Sequence, residues 1–437
     1  MSAEPPRADP LCADSPRSDG VHHDLEPADP ARGDSARGDS ARADLAGADR
    51  VRADAGRAEA VEVVDQEGDG PGSSRSDARR SEARPSEARP SEAARSRPGR
   101  LRTVTLLVAV ALLLASMAVG LLVGAADISP KGILFALLDR LPFVHLDSGL
   151  APVDQGLLFQ LRLPRVLLAA LVGGLLAIAG AGYQGVFRNP LADPYLLGAA
   201  AGAGLSVTLV VVFLGGDAGV AIVPVAAFVG AVGGVLLAYA VGNTAGRGGG
   251  TATLVLAGVA VTSFLTAIQT FAQQLKLEEL QRIYSWILGD VGGGWEQVWM
   301  IAPYVVVSTV VLLLHGRLLD VLSVGDEEAA GLGLRAGRVR FVVLLAASLA
   351  TAAAVAVGGL IAFVGIVVPH VVRRLAGWSY RIVLPISFLG GGAFLVLADT
   401  VARTILAPAE LPIGVVTAFV GAPFFVAVLR MTRRVGT

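Results

Sequence analysis

One stretch decides the fold: Arg165-Val-Leu-Leu-Ala-Ala-Leu-Val-Gly-Gly-Leu-Leu-Ala-Ile-Ala-Gly-Ala-Gly-Tyr-Gln-Gly-Val186. After Arg165 it contains no further charged side chain. A helix needs about 20 consecutive apolar residues to cross the hydrocarbon core of a bilayer, so this stretch is long enough to span one. Its many Gly and Ala residues let neighbouring helices approach closely in lipid, where apolar burial no longer drives helix association. The stretch therefore predicts a transmembrane helix packed among others.

Similar apolar stretches occur along most of the chain. The interval near 360–375 is short and interrupted by Pro369. Backbone polar groups in lipid must be satisfied internally, which favours helices. The sequence therefore predicts an all-α polytopic membrane protein with about ten transmembrane helices. The predicted spans lie near residues 104–124, 165–186, 195–214, 220–242, 252–274, 297–315, 339–357, 360–375, 383–402 and 412–430.

Composition excludes an ordinary soluble enzyme. The mean hydropathy is +0.62, and the chain has 53 Gly. Residues 101–437 hold only 20 of the 36 basic and 16 of the 37 acidic residues, a much lower charge density than soluble domains have. Cys12 is the only cysteine, so an intrachain disulfide and a thiolate metal cluster are both impossible.

The first hundred residues have a different character and form a predicted separate region, 1–100, ahead of a transmembrane domain at 101–437. Asp recurs every five residues from Asp9 to Asp54. Five is neither the helical nor the strand period, so no apolar face forms. With few large apolar side chains, the region is predicted to be a disordered, low-complexity cytoplasmic tail. An anionic interaction arm is the alternative.

Basic residues predict the orientation in the cytoplasmic membrane. Ten spans place both termini on one side. With both termini in the cytoplasm, the inner segments carry sixteen arginines and the outer segments carry seven basic residues. This asymmetry follows the positive-inside rule.

The chain lacks a phosphate-binding loop. Its only lysines are Lys131 and Lys276, and neither follows a glycine, so the Walker A pattern is impossible. The spans also contain no histidine cluster and no pair of catalytic carboxylates. The sequence therefore predicts no enzyme activity, no cofactor and no metal site. If ATP powers this protein, a separate subunit must bind it.

Two predicted inner loops carry distinctive residues. The first runs from Gln184 to Pro194, where two prolines four residues apart end the helix and force a turn. It is either a tight loop or a re-entrant element beside a translocation path. The second runs from Leu322 to Leu334, where consecutive acids suit the first turn of a short helix. That helix is either simply solvated or docks on a soluble partner.

Five ordered motifs resemble one family across about residues 101–437. They are Leu161-Arg-Leu-Pro-Arg165, the Gln184–Pro194 run, Val324-Gly-Asp-Glu-Glu-Ala-Ala-Gly-Leu-Gly333, Phe363-Val-Gly-Ile-Val-Val-Pro-His370, and Glu410-Leu-Pro-Ile-Gly414 with Gly421-Ala-Pro-Phe424. They are similar to the permease subunits of type II ABC importers, which take up iron–siderophores, haem and cobalamin. The resemblance implies the type II importer fold with ten spans. It also implies four partners: separate ABC ATPase subunits, a second permease subunit (identical or a paralogue), an extracytoplasmic solute-binding protein and membrane lipid. No nucleic acid is implied.

The resemblance also implies roles for individual residues. Arg162, Arg165 and Arg403 would dock the binding protein, and lipid headgroup anchoring is the alternative for Arg162 and Arg165. Arg403 has Asp399 one helical turn away, so an intrahelical ion pair is the alternative there. The ATPase coupling loop would comprise Gly325, Asp326, Glu327, Glu328, Ala329, Gly331, Leu332 and Gly333. The translocation path or gate would comprise Gln184, Asn189, Pro190, Asp193 and Pro194.

The function implied is ATP-driven import of a metal chelate by alternating access, with an iron(III)-siderophore as the first choice of substrate. Cobalamin and haem stay open, because no ligand-specific set of side chains is visible. An ion-coupled secondary transporter is the rival interpretation. Such proteins carry intramembrane ionisable residues, and Asp399 is the one clear candidate here.

Overall fold

A computed structural model of the chain describes residues 98–124, 128–140, 142, 145–215, 221–244 and 251–435. The predicted tail, but for its last three residues, lies outside these ranges. Within them the chain is helical and contains no strand. The helices are α1 Pro98–Leu122, α2 Pro130–Asp139, α3 Pro152–Gly156, α4 Leu163–Phe187, α5 Ala199–Leu214, α6 Ile222–Thr244, α7 Thr251–Leu275, α8 Leu280–Ile287, α9 Trp295–Leu322, α10 Asp326–Gly331, α11 Ala336–Gly358, α12 Val364–Ala376, α13 Tyr380–Thr404 and α14 Ile413–Val435.

Each of the ten predicted spans coincides with one of these helices. Seven helical stretches in the described ranges are long and apolar enough to cross a membrane, and α5 and the start of α14 are shorter apolar helices. The tenth, α12, has 13 residues. At 1.5 Å per residue it measures about 20 Å, less than the roughly 30 Å of a hydrocarbon core. The all-α membrane fold is confirmed, with α12 as a partial crossing.

The largest departure from the sequence prediction is the second span, which begins at Pro152 and not near residue 165. Residues 152–187 form one continuous helix, with a π-helical turn at Leu157–Arg162. Leu163 N donates to Leu158 O, five residues back, which bypasses the carbonyl of Phe159. The indole Nε1 of Trp295 donates to that carbonyl at 2.8 Å. This wider turn accommodates Pro164 inside the helix, where the sequence suggested a helix start.

The core of the bundle is α4, which contacts α1, α9, α11, α12 and α13. Glycine pairs bring the backbones together there. A Cβ on Gly173 would overlap the carbonyl oxygen of Gly391 on α13, and one on Gly180 would overlap that of Gly365 on α12. Only glycine permits such approach, which increases dispersion contact where lipid supplies no hydrophobic drive.

Irregular backbone from three segments meets where α8, α11 and α14 join; we call these contacts the backbone junction. Asp290 N donates to Gly358 O at 3.1 Å, Ile413 N to Gly289 O at 3.2 Å, and Gly414 N to Leu288 O at 3.0 Å. Buried backbone outside regular helices is stable only when its polar groups are paired, and Gly289, Gly358 and Ile413 are buried here. The junction therefore fixes the end of α8 and the start of α14 to the end of α11.

Candidate functional site: charged clusters at the two ends of the bundle

The predicted orientation gives the bundle an outer end, which carries Arg165 and Glu410, and an inner end, which carries α10. At the outer end, Arg165 on α4 binds two carboxylates. Its Nε and Nη2 donate to Asp399 Oδ1 at 3.0 and 2.9 Å. Its Nη1 and Nη2 donate to the two carboxylate oxygens of Glu410 at 3.2 and 2.8 Å. Both ends of this arrangement use the forked geometry in which arginine binds carboxylates most strongly.

The two carboxylates that bind Arg165 differ in how deeply they are buried. The side chain of Asp399 is 1% exposed, that of Arg165 is 17% exposed, and that of Glu410 is 50% exposed. Arg403, one turn after Asp399 on α13, places its Nε 2.9 Å from Asp399 Oδ2. The intrahelical ion pair foreseen from the sequence is therefore present. Asp399 is shared between two arginines, whereas Glu410, among the described residues, binds only Arg165 and lies on the solvent side of the cluster.

Arg162 and Arg403 also contact the end of α1. Arg162 Nη1 donates to Leu121 O at 3.1 Å, and Arg403 Nη2 donates to Gly120 O at 3.0 Å. The last carbonyls of a helix have no intrahelical partner and carry the negative end of the helix dipole. Both arginines are buried and stabilise this helix end. Of the three predicted docking arginines, Arg165 is thus the most exposed.

At the inner end, the acidic loop forms α10, with Asp326, Glu327 and Glu328 in its first turn as the sequence indicated. Asp326 forms ion pairs with Arg188, which follows α4, and with Arg340 on α11. Ala329 is buried and anchors the helix.

The remaining residues of the predicted coupling loop form an exposed face. Leu332 is 75% exposed, and Glu327 and Glu328 are also exposed. Val324, just before the loop, is 70% exposed. Gly325 precedes the helix, Gly331 ends it, and Gly333 has a φ of 78°, a left-handed conformation that favours glycine. A short helix with apolar and acidic side chains in solvent, tied internally through Asp326, is a surface suited to a protein partner.

The predicted gate residue Gln184 is buried and joins α4 to α12. Its Nε2 donates to Ala192 O at 3.3 Å and to Gly365 O at 3.0 Å. Its Oε1 accepts a hydrogen bond from Arg373 on α12. Because these contacts cross from one helix to another, a sliding motion of α4 against α12 must break them.

The other gate candidates shape the loop between α4 and α5. Asn189 accepts a hydrogen bond from the backbone amide two residues later at 2.9 Å, and Asp193 accepts one from Tyr195 N at 2.7 Å. Pro190 is exposed, whereas Pro194 is buried beside Gly365. Burial raises the pKa of Asp193 to about 6, although the bond from Tyr195 opposes this shift.

The sequence missed the partners of these residues more often than the residues themselves. Glu410 was recognised only within a motif, and no pairing with Arg165 was foreseen. Arg188 and Arg340 were counted only as inner positive charges. Asp320 on α9 was not singled out at all, yet it accepts hydrogen bonds from Tyr380 N at 2.6 Å and Ser379 Oγ at 2.7 Å at the start of α13. No local pattern identifies such partners.

Comparison with known proteins shows what the chain as a whole is similar to. The FecCD transport family matches residues 111–431. The chain is 40% identical over 286 residues to the cobalamin import system permease protein BtuC of Halobacterium salinarum, covering 65% of this chain and 76% of that protein. It is 37% identical to the Fe(3+)-citrate import system permease protein YfmD of Bacillus subtilis, covering 75% and 94%. A solved structure described as a metal-chelate type ABC transporter in an inward-facing conformation matches with a TM-score of 0.66 and 27% identity, over 75% of this chain and 99% of that one.

Proposed function

Because the chain belongs to the FecCD transport family, we propose that it carries an iron(III)-siderophore inward as the permease of an ATP-driven importer. As a member of that family it is a multi-pass membrane permease of the ABC importer class. Such permeases work with ATPase subunits and a second permease. In our proposal the cycle alternates between outward-open and inward-open dimers.

The observation that carries the proposal is the way α10 is attached. Its outward face is exposed, while Asp326 pairs with residues next to α4 and on α11. A force applied to α10 by an ATPase subunit would therefore reach two of the most buried helices of the bundle. Gln184 extends this connection from α4 to α12, which supports assigning the Gln184–Pro194 run to the inner part of the path or gate.

At the outer end, we propose that the arginine cluster receives acidic residues of an extracytoplasmic solute-binding protein. Arg165 and Arg403 pair with the two carboxylates, and Arg162 adds a third positive charge beside the same end of α1, which leaves one net positive charge. Charge pairing with a partner mainly sets encounter rate and register, and salt screens it. The exposure of Arg165 makes it the first contact in this proposal.

The assignment of the substrate rests on similarity to relatives. The Fe(3+)-citrate permease matches over the larger share of both chains, which favours an iron chelate. Cobalamin is the second candidate, supported by the 40% identity to a cobalamin permease.

The test is reconstitution into liposomes with the cognate ABC ATPase subunit and the cognate solute-binding protein. Uptake of radiolabelled iron–siderophore and of cobalamin is measured with ATP and, separately, with an imposed proton or sodium gradient. ATP-dependent uptake of the iron chelate is expected. Uptake by the purified chain alone in response to an ion gradient would establish the secondary-transporter interpretation instead.

Glu327→Lys tests the ATPase contact, because Glu327 has no part in the internal ion pairs of Asp326. We expect ATPase association to weaken about tenfold, which corresponds to about 1.4 kcal/mol. The matched control is Glu296→Lys, an exposed acid in the first turn of α9 at the other end of the bundle. Equal effects of the two variants would contradict a docking role for α10.

A further inference from the structure

Glu410 covers the solvent side of the guanidinium that an acidic partner would need. A guanidinium has five N–H donors arranged in a planar fork. In Arg165 the edge formed by Nε and Nη2 faces the buried Asp399, and the edge formed by Nη1 and Nη2 faces the half-exposed Glu410. A carboxylate that arrives from solvent can make a two-point contact only at the second edge. Glu410 already occupies it.

Glu410 is also close in sequence to the backbone junction. Leu411 N donates to Ala402 O at 3.0 Å, and Ile413 and Gly414 donate to the residues that follow α8. The backbone on the C-terminal side of Glu410 is thus held both by α13 and by the junction. The ion pair with Arg165 therefore ties the start of α14, and through it the end of α8, to α4.

We propose that Glu410 occupies the edge of Arg165 that an acidic residue of the binding protein will take. When that protein docks, its carboxylate displaces Glu410 from Arg165. The inference rests on the proposed docking role of the outer cluster. One carboxylate replaces another on the same edge, while Asp399 keeps its buried edge throughout. Displacement frees the 410–414 segment from α4, so docking at the surface is transmitted to the junction of α8, α11 and α14.

Burial explains why Glu410 and not Asp399 is exchanged. Asp399 is almost wholly enclosed and serves Arg403 as well as Arg165. Removing it would leave two buried guanidinium groups without a carboxylate on that side, which is costly in a medium of low polarity. Glu410 is half exposed, so water can solvate its carboxylate as soon as it leaves.

The first experiment needs no partner and uses the full chain in lipid nanodiscs. Arg165 is labelled with phenylglyoxal, a dicarbonyl reagent specific for arginine, and the rate is read by mass spectrometry. Glu410→Gln should accelerate labelling of Arg165 several-fold and should speed hydrogen exchange in the peptide that contains residues 411–414. The control is Glu278→Gln, which removes one exposed negative charge from the outer end elsewhere. Unchanged labelling and exchange in Glu410→Gln would overturn the proposal.

The second experiment measures the affinity of the transporter for its cognate solute-binding protein across a salt series. Glu410→Gln removes the internal competitor, so association should tighten about fivefold, which corresponds to about 1 kcal/mol. Arg165→Glu should weaken association and flatten its salt dependence. If Arg165→Glu leaves the affinity unchanged, the proposed docking role is wrong. If Arg165→Glu weakens binding while Glu410→Gln does not tighten it, docking stands and the displacement of Glu410 is wrong.

Discussion

Replacing Asp399 with asparagine separates the buried half of the outer cluster from its exposed half. Asp399 and Glu410 bind the same guanidinium, at 2.9 and 2.8 Å. Their distances are nearly equal, so distance alone predicts similar losses for Asp399→Asn and Glu410→Gln. Burial predicts otherwise, because the Asp399 side chain is 1% exposed and that of Glu410 is 50% exposed.

The magnitude follows from what each substitution leaves behind. Removing one partner of a buried ion pair costs about 3–5 kcal/mol, because the other charge stays buried without compensation. After Asp399→Asn, Arg165 keeps Glu410 and Arg403 keeps the carbonyl of Gly120. We therefore expect a loss near the lower limit, about 3 kcal/mol. Exposed pairs are worth about 0.2–1 kcal/mol, so Glu410→Gln should cost about 1 kcal/mol or less.

The assay is equilibrium unfolding in mixed micelles of dodecyl maltoside and sodium dodecyl sulfate, followed by tryptophan fluorescence. A double variant, Asp399→Asn with Arg403→Gln, completes the comparison. It should lose less than the sum of its single variants, because it removes an arginine that would otherwise be buried without its carboxylate. Equal losses for Asp399→Asn and Glu410→Gln, together with additive losses in the double variant, would refute the argument from burial.

Two further expectations concern packing and pH. Gly180→Ala should destabilise the protein by about 1–3 kcal/mol because its methyl group meets the backbone of α12. The control is Gly233→Ala, where an added Cβ meets nothing within 4 Å; it should stabilise the protein by about 0.5–1 kcal/mol. Similar shifts of the unfolding midpoint in the two variants would contradict the close approach of α4 to α12. The pKa of Asp193 is raised to about 6 from 3.8, so the folded state binds its proton more tightly than the unfolded state. Stability should therefore fall as pH rises from about 4 to 6; the Asp193→Asn variant should lack this contribution, and an unchanged pH profile in that variant would contradict it.

Several features of the fold could be predicted from the sequence because they depend on neighbouring residues. Apolar stretches of sequence marked the ten helices that correspond to the predicted spans. Consecutive acids after Gly325 marked the first turn of α10, and the spacing of Asp399 and Arg403 marked an ion pair within one helix. In each case the relevant atoms lie within a few residues of one another.

Helix limits were predicted less well where tertiary contacts override local preference. The second span was predicted to begin near residue 165, yet the helix begins at Pro152. The π-helical turn that makes this possible is stabilised by Trp295, which lies on a distant helix. The span predicted near residues 360–375 is longer than the observed helix α12, which begins at Val364. Its first predicted residues belong to the non-helical connection that follows the backbone junction.

The sequence by itself determined that this chain is a bundle of membrane helices, which arginines and acids stand at its two ends, and which family it resembles. Only the tertiary structure decided how those charges are shared. Arg165 lies 234 residues before Asp399 and 245 before Glu410 in the chain, and no local period relates them. The pairing of Arg165 with Asp399 follows from the packing of α4 against α13, where glycine backbones touch. Glu410 reaches Arg165 from the connection between α13 and α14. Whether each carboxylate is buried or exposed is likewise a property of that packing, because burial depends on the surrounding helices and not on the residue type.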